Sequence, residues 1–583
     1  MRAAQGSICA AVIVTIAVAA QACASRSTPP VSRLGALVTA FDRASTPYFP
    51  FTASEAGLRQ YDRVLANTIG EEYRTGLAAL CSRYHSELRR IEPATLDEHD
   101  RLTRDIFQFN LETCVERLRL PWHLLPVDQV GRSLPSEFAV IGAGRGVHPF
   151  KTPRNYEDFL GRIDGFVTWM DTAIANMRTG MERGITQPRD IMVKMLPQLE
   201  VHIVADPRAS VFYEPIKNLP PDFDEATRNT LTDKYVRAIE GQIVPAYRRL
   251  RAFVHDEYLP RCRATFGLAD LPGGSAMYAF SVRVGTTTNL TPEQIFALGE
   301  QEVTRISREI DQLNAEITAG GDIPPARYAN VEELLQAYAE FRASVEAKLP
   351  TLFGRFPKAG FEIRPIEAFR ERSMPSSYVP ASPDGARPGV FYLNAAALRE
   401  GRAASVSRAL FLHEAVPGHH LQMALQREKR GLPGFRRFAW YNAFGEGWAL
   451  YAESLGIELG AYGNRHDRLN MLGAERFRAK RLVVDVGLHA KGWTRERAIA
   501  YLGGSREDSE REVERYMAWP GQALGYKMGQ LKIRELRDKA QQRLGARFDV
   551  RQFHDAVLGH GAVPLDVLEQ QVNALMTKVE GQK

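Results

Sequence analysis

The chain has 583 residues, 44% hydrophobic and 25% charged, a balance typical of proteins that bury an apolar core. Its formal net charge of +6 is spread along the sequence, with neither zinc-finger spacing nor the aromatic and basic pattern of an RNA-binding motif. We therefore expect a globular protein without a nucleic-acid partner.

The first segment in chain order is predicted to be an export signal. The apolar run ICAAVIVTIAVAA is too short to be a good membrane-spanning helix and is followed at once by polar residues. Two processing outcomes remain open: cleavage at the small-x-small site Ala20-Gln21-Ala22, or lipidation of Cys23. Both place the signal peptide at residues 1–22 and the mature protein in the periplasm of a bacterium or on a membrane as a lipoprotein.

The remaining cysteines contain no C-x-x-C pair, which excludes a cysteine zinc site. Cys81 and Cys114 lie in two successive helix-like segments. In an oxidising compartment they could form a disulfide. The alternative is that both are separate buried thiols.

Helical periodicity dominates the rest of the chain. One helix is predicted to begin with Thr291 as N-cap, Pro292 at the first helical position and Gln294 completing a capping box. Asn330, with Glu333 three residues on, predicts another start. Further helices are expected near residues 158–183, 224–258, 406–430, 443–459, 466–490 and 523–543.

Three short segments favour strands: 277–284, 361–368 and 389–394. Between the last two, residues 373–389 are rich in Pro, Gly and Ser and predict a long loop that is either functional or disordered. The fold class is therefore mainly α, with a small β-sheet beside the site. One large helical domain is predicted over 23–583, with an N-terminal helical part (about 31–265) and a site-bearing part (about 266–583).

The segment FLHEAVPGHHLQ, residues 411–422, begins like the zinc-protease motif H-E-x-x-H but then departs from it. On a regular helix, neither His419 nor His420 could share a metal with His413. Position i+6 is rotated by about 240° and position i+7 lies about 10.5 Å further along. Pro417 and Gly418 predict a helix break. The break leaves either histidine as the second ligand, and we favour His419.

The segment FGEGWALYAESLG, residues 444–456, supplies a third ligand, Glu446, flanked by two glycines. Glu453 follows seven residues later on the same helix face, where it could accept the other N–H of a ligand histidine. The alternative is a solvated acidic face on an ordinary helix. Glu414, beside the first ligand, is suited to polarise a water molecule.

Other polar residues are weaker candidates for a supporting or substrate-binding role. Arg481, Asp485 and His489 form a polar stripe on an otherwise apolar helix, where each needs a partner. Arg481 could anchor a substrate carboxylate, or the stripe could hold an i,i+4 ion pair and a core histidine. His420, if it is not a ligand, could line the site, and Arg387 could either contact substrate or stabilise its own loop. Tyr278 and Thr286–Thr288 are predicted to form an edge strand to which a peptide could add.

The two motif segments together resemble the gluzincin metallopeptidases, in which two histidines and a downstream glutamate bind zinc. More specifically, the chain resembles a bacterial exported family that is catalogued as a domain of unknown function and grouped with those peptidases. The spacing of Glu446 and Glu453 is also similar to that in the thermostable helical carboxypeptidases. The landmarks cover most of residues 270–535, among them GGSAMYAFSVRVGTTTNLTPEQIFALG, SPDGARPGVFYLN, HEAVPGHHLQ, FGEGWALYAE, RLVVDVGLHAKGWTRERA and ALGYKMGQLKI.

This resemblance implies a helical zincin-like fold with a deep active-site cleft, one Zn²⁺ per chain and hydrolysis of a peptide or peptide-like substrate. Tyr526 would donate a hydrogen bond to the developing oxyanion, as tyrosines do in similar gluzincins. Two other functions remain open. One is a zinc amidase or esterase acting on a non-peptide cell-envelope substrate. The other is an exported binding lipoprotein with a degenerate metal site.

Overall fold

The computed structural model describes residues 32–582 except 132, 147, 369–370, 372–374 and 383–386. The predicted signal peptide and Cys23 lie outside the described residues. The described chain is mainly α-helical with one small sheet, as predicted. In this part of the chain no helix has the length and apolar character that crossing a membrane requires.

The N-terminal helices form a shell around a large apolar core and a smaller one nearer the start of the chain. They are α1 (Arg33–Ser45), α2 (Pro50–Glu55), α3 (Glu71–Leu88), α4 (Glu98–Arg119), α5 (Leu134–Gly142), α6 (Pro153–Leu160), α7 (Ile163–Glu182), α8 (Arg189–Glu200), α9 (Glu214–Lys217), α10 (Glu225–Ala238) and α11 (Val244–Phe253). Two π-helical turns, Ile239–Ile243 and Val254–Tyr258, continue α10 and α11 into the long helical run that was predicted there.

The second half carries the candidate site. Its elements are α12 (Gly274–Thr286), α13 (Pro292–Gly320), α14 (Val331–Glu346), β1 (Phe361–Pro365), β2 (Ser377–Val379), β3 (Gly389–Leu393), α15 (Ala396–Arg399), α16 (Arg408–Glu414), α17 (His419–Arg427), α18 (Gly434–Arg437), α19 (Asn442–Leu455), α20 (Arg465–Ala490), α21 (Arg495–Leu502), α22 (Arg506–Ala518), α23 (Gly525–Leu544), α24 (Val550–Leu558) and α25 (Leu565–Gly581). The helix α20 contributes buried side chains to three apolar clusters and connects the shell to the site.

Both predicted helix starts are confirmed. Thr291 caps α13 in a capping box with Gln294, and Asn330 accepts a hydrogen bond from the Glu333 backbone N–H at the start of α14. The capping side chains satisfy amide groups that have no partner inside the helix, and this local chemistry does not depend on the rest of the fold. For that reason it can be recognised in the sequence.

The strand prediction for 277–284 is wrong, because the segment is part of α12. Tyr278, Val282 and Gly285 are buried at spacings of four and three residues, which is the period of a helix face. A short apolar run does not reveal this by itself. The predicted edge strand through Thr286–Thr288 is therefore also wrong, since Thr286 ends α12 and Thr287 has a left-handed backbone (φ 52°).

The strands β1 and β3 are confirmed, and β2 is an addition inside the predicted loop 373–389. The central strand β3 pairs in parallel with β1 and antiparallel with β2. The Pro- and Ser-rich composition of the segment concealed a strand of only three residues. Four residues of this segment, 383–386, and two at its start, 373–374, lie outside the described part.

Two close contacts join neighbouring helices, one beside the site and one in the shell. A Cβ added at Gly447 of α19 would overlap the backbone of Gly529 on α23, so these two helices meet backbone to backbone. In the shell, a disulfide between Cys81 and Cys114 joins α3 to α4. The two cysteines are thus paired and are not separate thiols.

Candidate metal centre

The helix that carries His413 breaks where the sequence predicts it. The helix α16 ends at Glu414 and α17 begins at His419, with a cis peptide bond between Val416 and Pro417. Gly418 passes so close to the last turn of α16 that a Cβ there would overlap the carbonyl oxygen of His413. Only glycine fits at this point, and the close passage brings His419 back beside His413.

A hydrogen bond from a neighbouring helix also stabilises the break. Trp448 of α19 donates its indole N–H to the carbonyl oxygen of Pro417, at 2.8 Å in a buried position. This bond ties the break between α16 and α17 to the helix that carries the third candidate ligand. Trp448 lies two residues after Glu446, yet its partner could not be inferred from the sequence, because the bond links positions 31 residues apart.

His413, His419 and Glu446 converge in the structure. The Nε2 atoms of His413 and His419 each lie 3.5 Å from Oε2 of Glu446. One ligand atom from each residue lies within 4.8 Å of the others. In a tetrahedral zinc site the ligand atoms are about 3.3 Å apart, given metal–ligand bonds of about 2.0–2.1 Å. Two histidines and a carboxylate also match the ligand types of zinc, so the residues fit the ion.

Glu453 lies behind the first histidine. Its Oε1 is 2.9 Å from Nδ1 of His413, and both side chains are buried. Burial opposes the charged imidazole, but hydrogen bonds with Glu446 and Glu453 outweigh it and raise the pKa of His413 to about 9. When Nδ1 donates to Glu453, the lone pair of Nε2 is directed to the side where Glu446 lies.

We expect Glu453→Ala to weaken zinc binding by about tenfold to hundredfold, the usual effect of removing the acceptor that orients a ligand histidine. Competition titration with a zinc indicator measures the affinity. Glu458→Ala is the matched control, because Glu458 is partly exposed and pairs with Arg537. Equal affinities for wild type and Glu453→Ala would show that this contact does not support the site.

Glu414 is buried beside the ligands, at the last position of α16. Burial raises the pKa of its carboxyl group, while the neighbouring histidines and a hydrogen bond from the Tyr378 backbone N–H act in the opposite direction. The carboxylate is therefore held by strand β2 on one side and faces the candidate ligands on the other. Tyr378 was not recognised from the sequence, since β2 was not.

His420 faces away from this cluster. Its Nδ1 lies 2.8 Å from the hydroxyl of Tyr378, and its ring is 4.6 Å from that of Phe361. Burial, together with the charge of Arg342, lowers the pKa of His420 to about 4, so the ring is neutral at physiological pH. Of the two histidines that the sequence left open, the structure brings His419 to Glu446 and places His420 against the sheet.

Tyr526 lies on α23 and is half-buried. Burial and the negative charge of Glu446 raise the pKa of its phenol, so the hydroxyl stays protonated. The Arg481 guanidinium covers the ring at 4.4 Å. Arg481 also donates to the Tyr516 hydroxyl and to Glu512, each at 3.1 Å, and forms its ion pair with Glu512 of α22.

The other members of the predicted stripe do not reach the ligands. Asp485 accepts hydrogen bonds from the Tyr278 hydroxyl at 2.7 Å and from the Gly521 backbone N–H at 3.1 Å. His489 bonds to two backbone groups, the N–H of Leu268 and the carbonyl of Tyr516. These contacts join α20 to its neighbouring segments, which is a structural role.

Arg387 is exposed and holds its own loop. Its guanidinium donates to the carbonyl oxygens of Pro380 and Pro388, at 2.7 and 3.2 Å. In the described part of the chain, the hydrogen bonds of Arg387 stay within this loop and do not reach a candidate ligand.

Comparison with known proteins gives the family and the fold. No curated protein matches the chain. A candidate lipoprotein from Colwellia psychrerythraea is 27% identical, with a TM-score of 0.83 over 94% of this chain and 100% of that one. A candidate lipoprotein of unknown function from Shewanella oneidensis shares the fold at 18% identity, with a TM-score of 0.71 over 92% of this chain and 99% of its own. Residues 50–572 match the family described as bacterial proteins of unknown function, DUF885, and the chain belongs to that family.

Proposed function

We propose that the protein is an exported zinc metallopeptidase. The observation that carries this proposal is the convergence of His413, His419 and Glu446 beside a buried glutamate, Glu414. These three residues would hold the metal. When bound, zinc would supply a Lewis acid that activates water and polarises a carbonyl group.

The protein's own residues account for the proton transfers. Glu414 would take a proton from the attacking water and pass it to the leaving amine. Tyr526, whose phenol stays protonated, would donate a hydrogen bond to the oxyanion as it develops. Glu453 holds the imidazole of His413 in one orientation throughout.

Export has separate support. The leader-like sequence precedes a chain that contains a disulfide, a bond typical of oxidising compartments. The protein from Colwellia psychrerythraea, similar over its whole length, is itself described as a candidate lipoprotein. Attachment to a membrane through Cys23 and cleavage after Ala22 remain the two alternatives.

Removal of the metal is expected to abolish hydrolysis reversibly. We expect the zinc-loaded protein to cleave members of a mixed peptide library, detected by mass spectrometry. Treatment with 1,10-phenanthroline should reduce the rate by about 100-fold or more, because the ion activates the water, and added zinc should restore it.

The same experiment separates the rival functions. Hydrolysis of simple esters or acyl amides, with every peptide left intact, would favour the amidase or esterase. A zinc-loaded protein that hydrolyses none of these compounds would instead indicate a binding protein with a degenerate site.

A further inference from the structure

An exposed tryptophan lies against the candidate metal centre, and the proposed mechanism does not use it. Trp440 is 44% exposed, and its ring is 5.7 Å from that of His419, measured between centroids. It lies two residues before the start of α19, the helix that carries Glu446. The indole is thus next to one candidate ligand in space and close to another in sequence.

Gly445 fixes the position of this indole. A Cβ at Gly445 would overlap the six-membered ring of Trp440, so the ring lies directly against the backbone of α19. Gly445 immediately precedes Glu446. The tryptophan therefore packs between His419 and the start of α19, and the rest of its surface remains open to solvent beside the candidate ligands.

Single exposed apolar side chains are common on protein surfaces and need no explanation. Trp440 is more than a scattered surface residue because its ring lies against the imidazole of His419, a candidate ligand. A rigid indole offers a large apolar face at low conformational cost, which is why tryptophan is frequent in binding sites. A substrate side chain bound on the His419 side of the metal centre would lie near this face.

The exposed face of the indole indicates which side chain it would meet. A large apolar side chain of the substrate loses contact with water when it covers this face, which favours binding. An aromatic side chain adds the preference of rings for stacked or edge-to-face contact. Glycine has no side chain with which to make this contact.

We propose that Trp440 forms an apolar wall beside the metal centre, so that the protein prefers peptides with an aromatic or large aliphatic residue next to the scissile bond. This inference rests on the proposed peptidase function and specifies its substrate class. Trp440 acts by binding the substrate side chain and takes no part in the proton transfers.

The test compares matched peptides that differ at one residue beside the cleaved bond: phenylalanine, leucine, glycine or lysine. We expect Trp440→Ala to lower kcat/KM for the phenylalanine and leucine peptides by about tenfold to hundredfold, mainly through KM. The glycine peptide should change little. Trp440→Phe should retain most of the preference. Phe356→Ala is the matched control, because Phe356 is an equally exposed aromatic residue (46%).

A second variant guards against misfolding of Trp440→Ala. Gly445→Ala leaves the indole in the chain but forces it out of its position against α19. We expect the same loss of preference. Zinc content should stay at the wild-type level in both variants. Unchanged preference in Trp440→Ala and Gly445→Ala, with zinc retained, would overturn the inference even if peptides are cleaved.

A binding measurement separates this inference from the proposed function. Calorimetry on the zinc-loaded protein compares phenylalanine hydroxamate with glycine hydroxamate, two metal-binding probes that differ in their side chain. We expect tighter binding of the phenylalanine compound to wild type and equal binding of both to Trp440→Ala. If the hydroxamates bind in this way but no peptide is cleaved, the role of Trp440 as an apolar wall would be supported and the proposed peptidase activity would be contradicted. Equal binding of both probes to wild type would contradict the wall alone.

Discussion

We expect His413→Ala, His419→Ala and Glu446→Ala each to lose the bound zinc, while His420→Ala keeps it. Wild type should hold about one zinc per chain, since a site with three protein ligands binds one ion. Loss of a direct ligand should weaken binding by more than the tenfold to hundredfold that is typical of an outer-shell change. His420 instead bonds to Tyr378 and packs on Phe361, so its removal leaves the three ligand atoms in place.

Metal content of the purified protein, measured by elemental analysis after dialysis, gives the first readout. Thermal unfolding gives the second, because a ligand at 100 times its Kd stabilises the native state by about 2.7 kcal/mol. Zinc should raise the Tm of wild type and His420→Ala but not that of the other variants. Retention of zinc in His419→Ala and its loss in His420→Ala would show that His420, and not His419, is the second ligand.

Binding of zinc to the metal-free protein should also release a proton from His413. In the metal-free protein the raised pKa of His413, about 9, keeps its imidazole protonated at pH 7. Zinc binds only the deprotonated ring, so binding must release this proton. The affinity should therefore fall as the pH is lowered, and calorimetry in buffers of different ionisation enthalpy would count the protons released.

The parts of the site that follow from chain geometry could be predicted from the sequence. Glu446 and Glu453 are seven residues apart, and on any regular helix that spacing returns to the same face. In the structure, Glu446 accordingly lies beside the Nε2 atoms of His413 and His419, and Glu453 lies beside Nδ1 of His413. A proline followed by a glycine likewise predicts a helix break, because proline lacks the backbone N–H and glycine has little conformational restriction. These inferences need only the local backbone.

The parts that depend on tertiary packing could not be predicted. Two contacts set the direction of the chain after the helix break. Gly418 packs against the carbonyl oxygen of His413, and Trp448 donates a hydrogen bond to the carbonyl oxygen of Pro417. The partners of Asp485 lie on α12 and before α23, far away in sequence. The apolar run of α12 and the three-residue strand β2 were misassigned for the same reason, because long-range contacts decided their structure.

Replacing Glu414 by glutamine is expected to stop hydrolysis while the metal centre stays intact. The amide has the size of the carboxylate, and its oxygen can still accept the Tyr378 backbone N–H. It cannot take up a proton, so we expect kcat to fall by about 10² to 10⁴, the contribution typical of a general base. Zinc content should not change, since Glu414 is not one of the three candidate ligands.

Two further variants show whether the fall in kcat comes from the missing general base. Glu414→Asp keeps a carboxylate but withdraws it by one methylene group, so we expect activity between that of wild type and that of Glu414→Gln. Glu458→Gln replaces a glutamate just beyond α19 that is partly exposed and should behave like wild type. If Glu414→Gln kept its zinc and retained kcat within tenfold of wild type, another group would have to be the base. If it lost its zinc, Glu414 would instead be needed to build the site, because an amide of the same size could not maintain it.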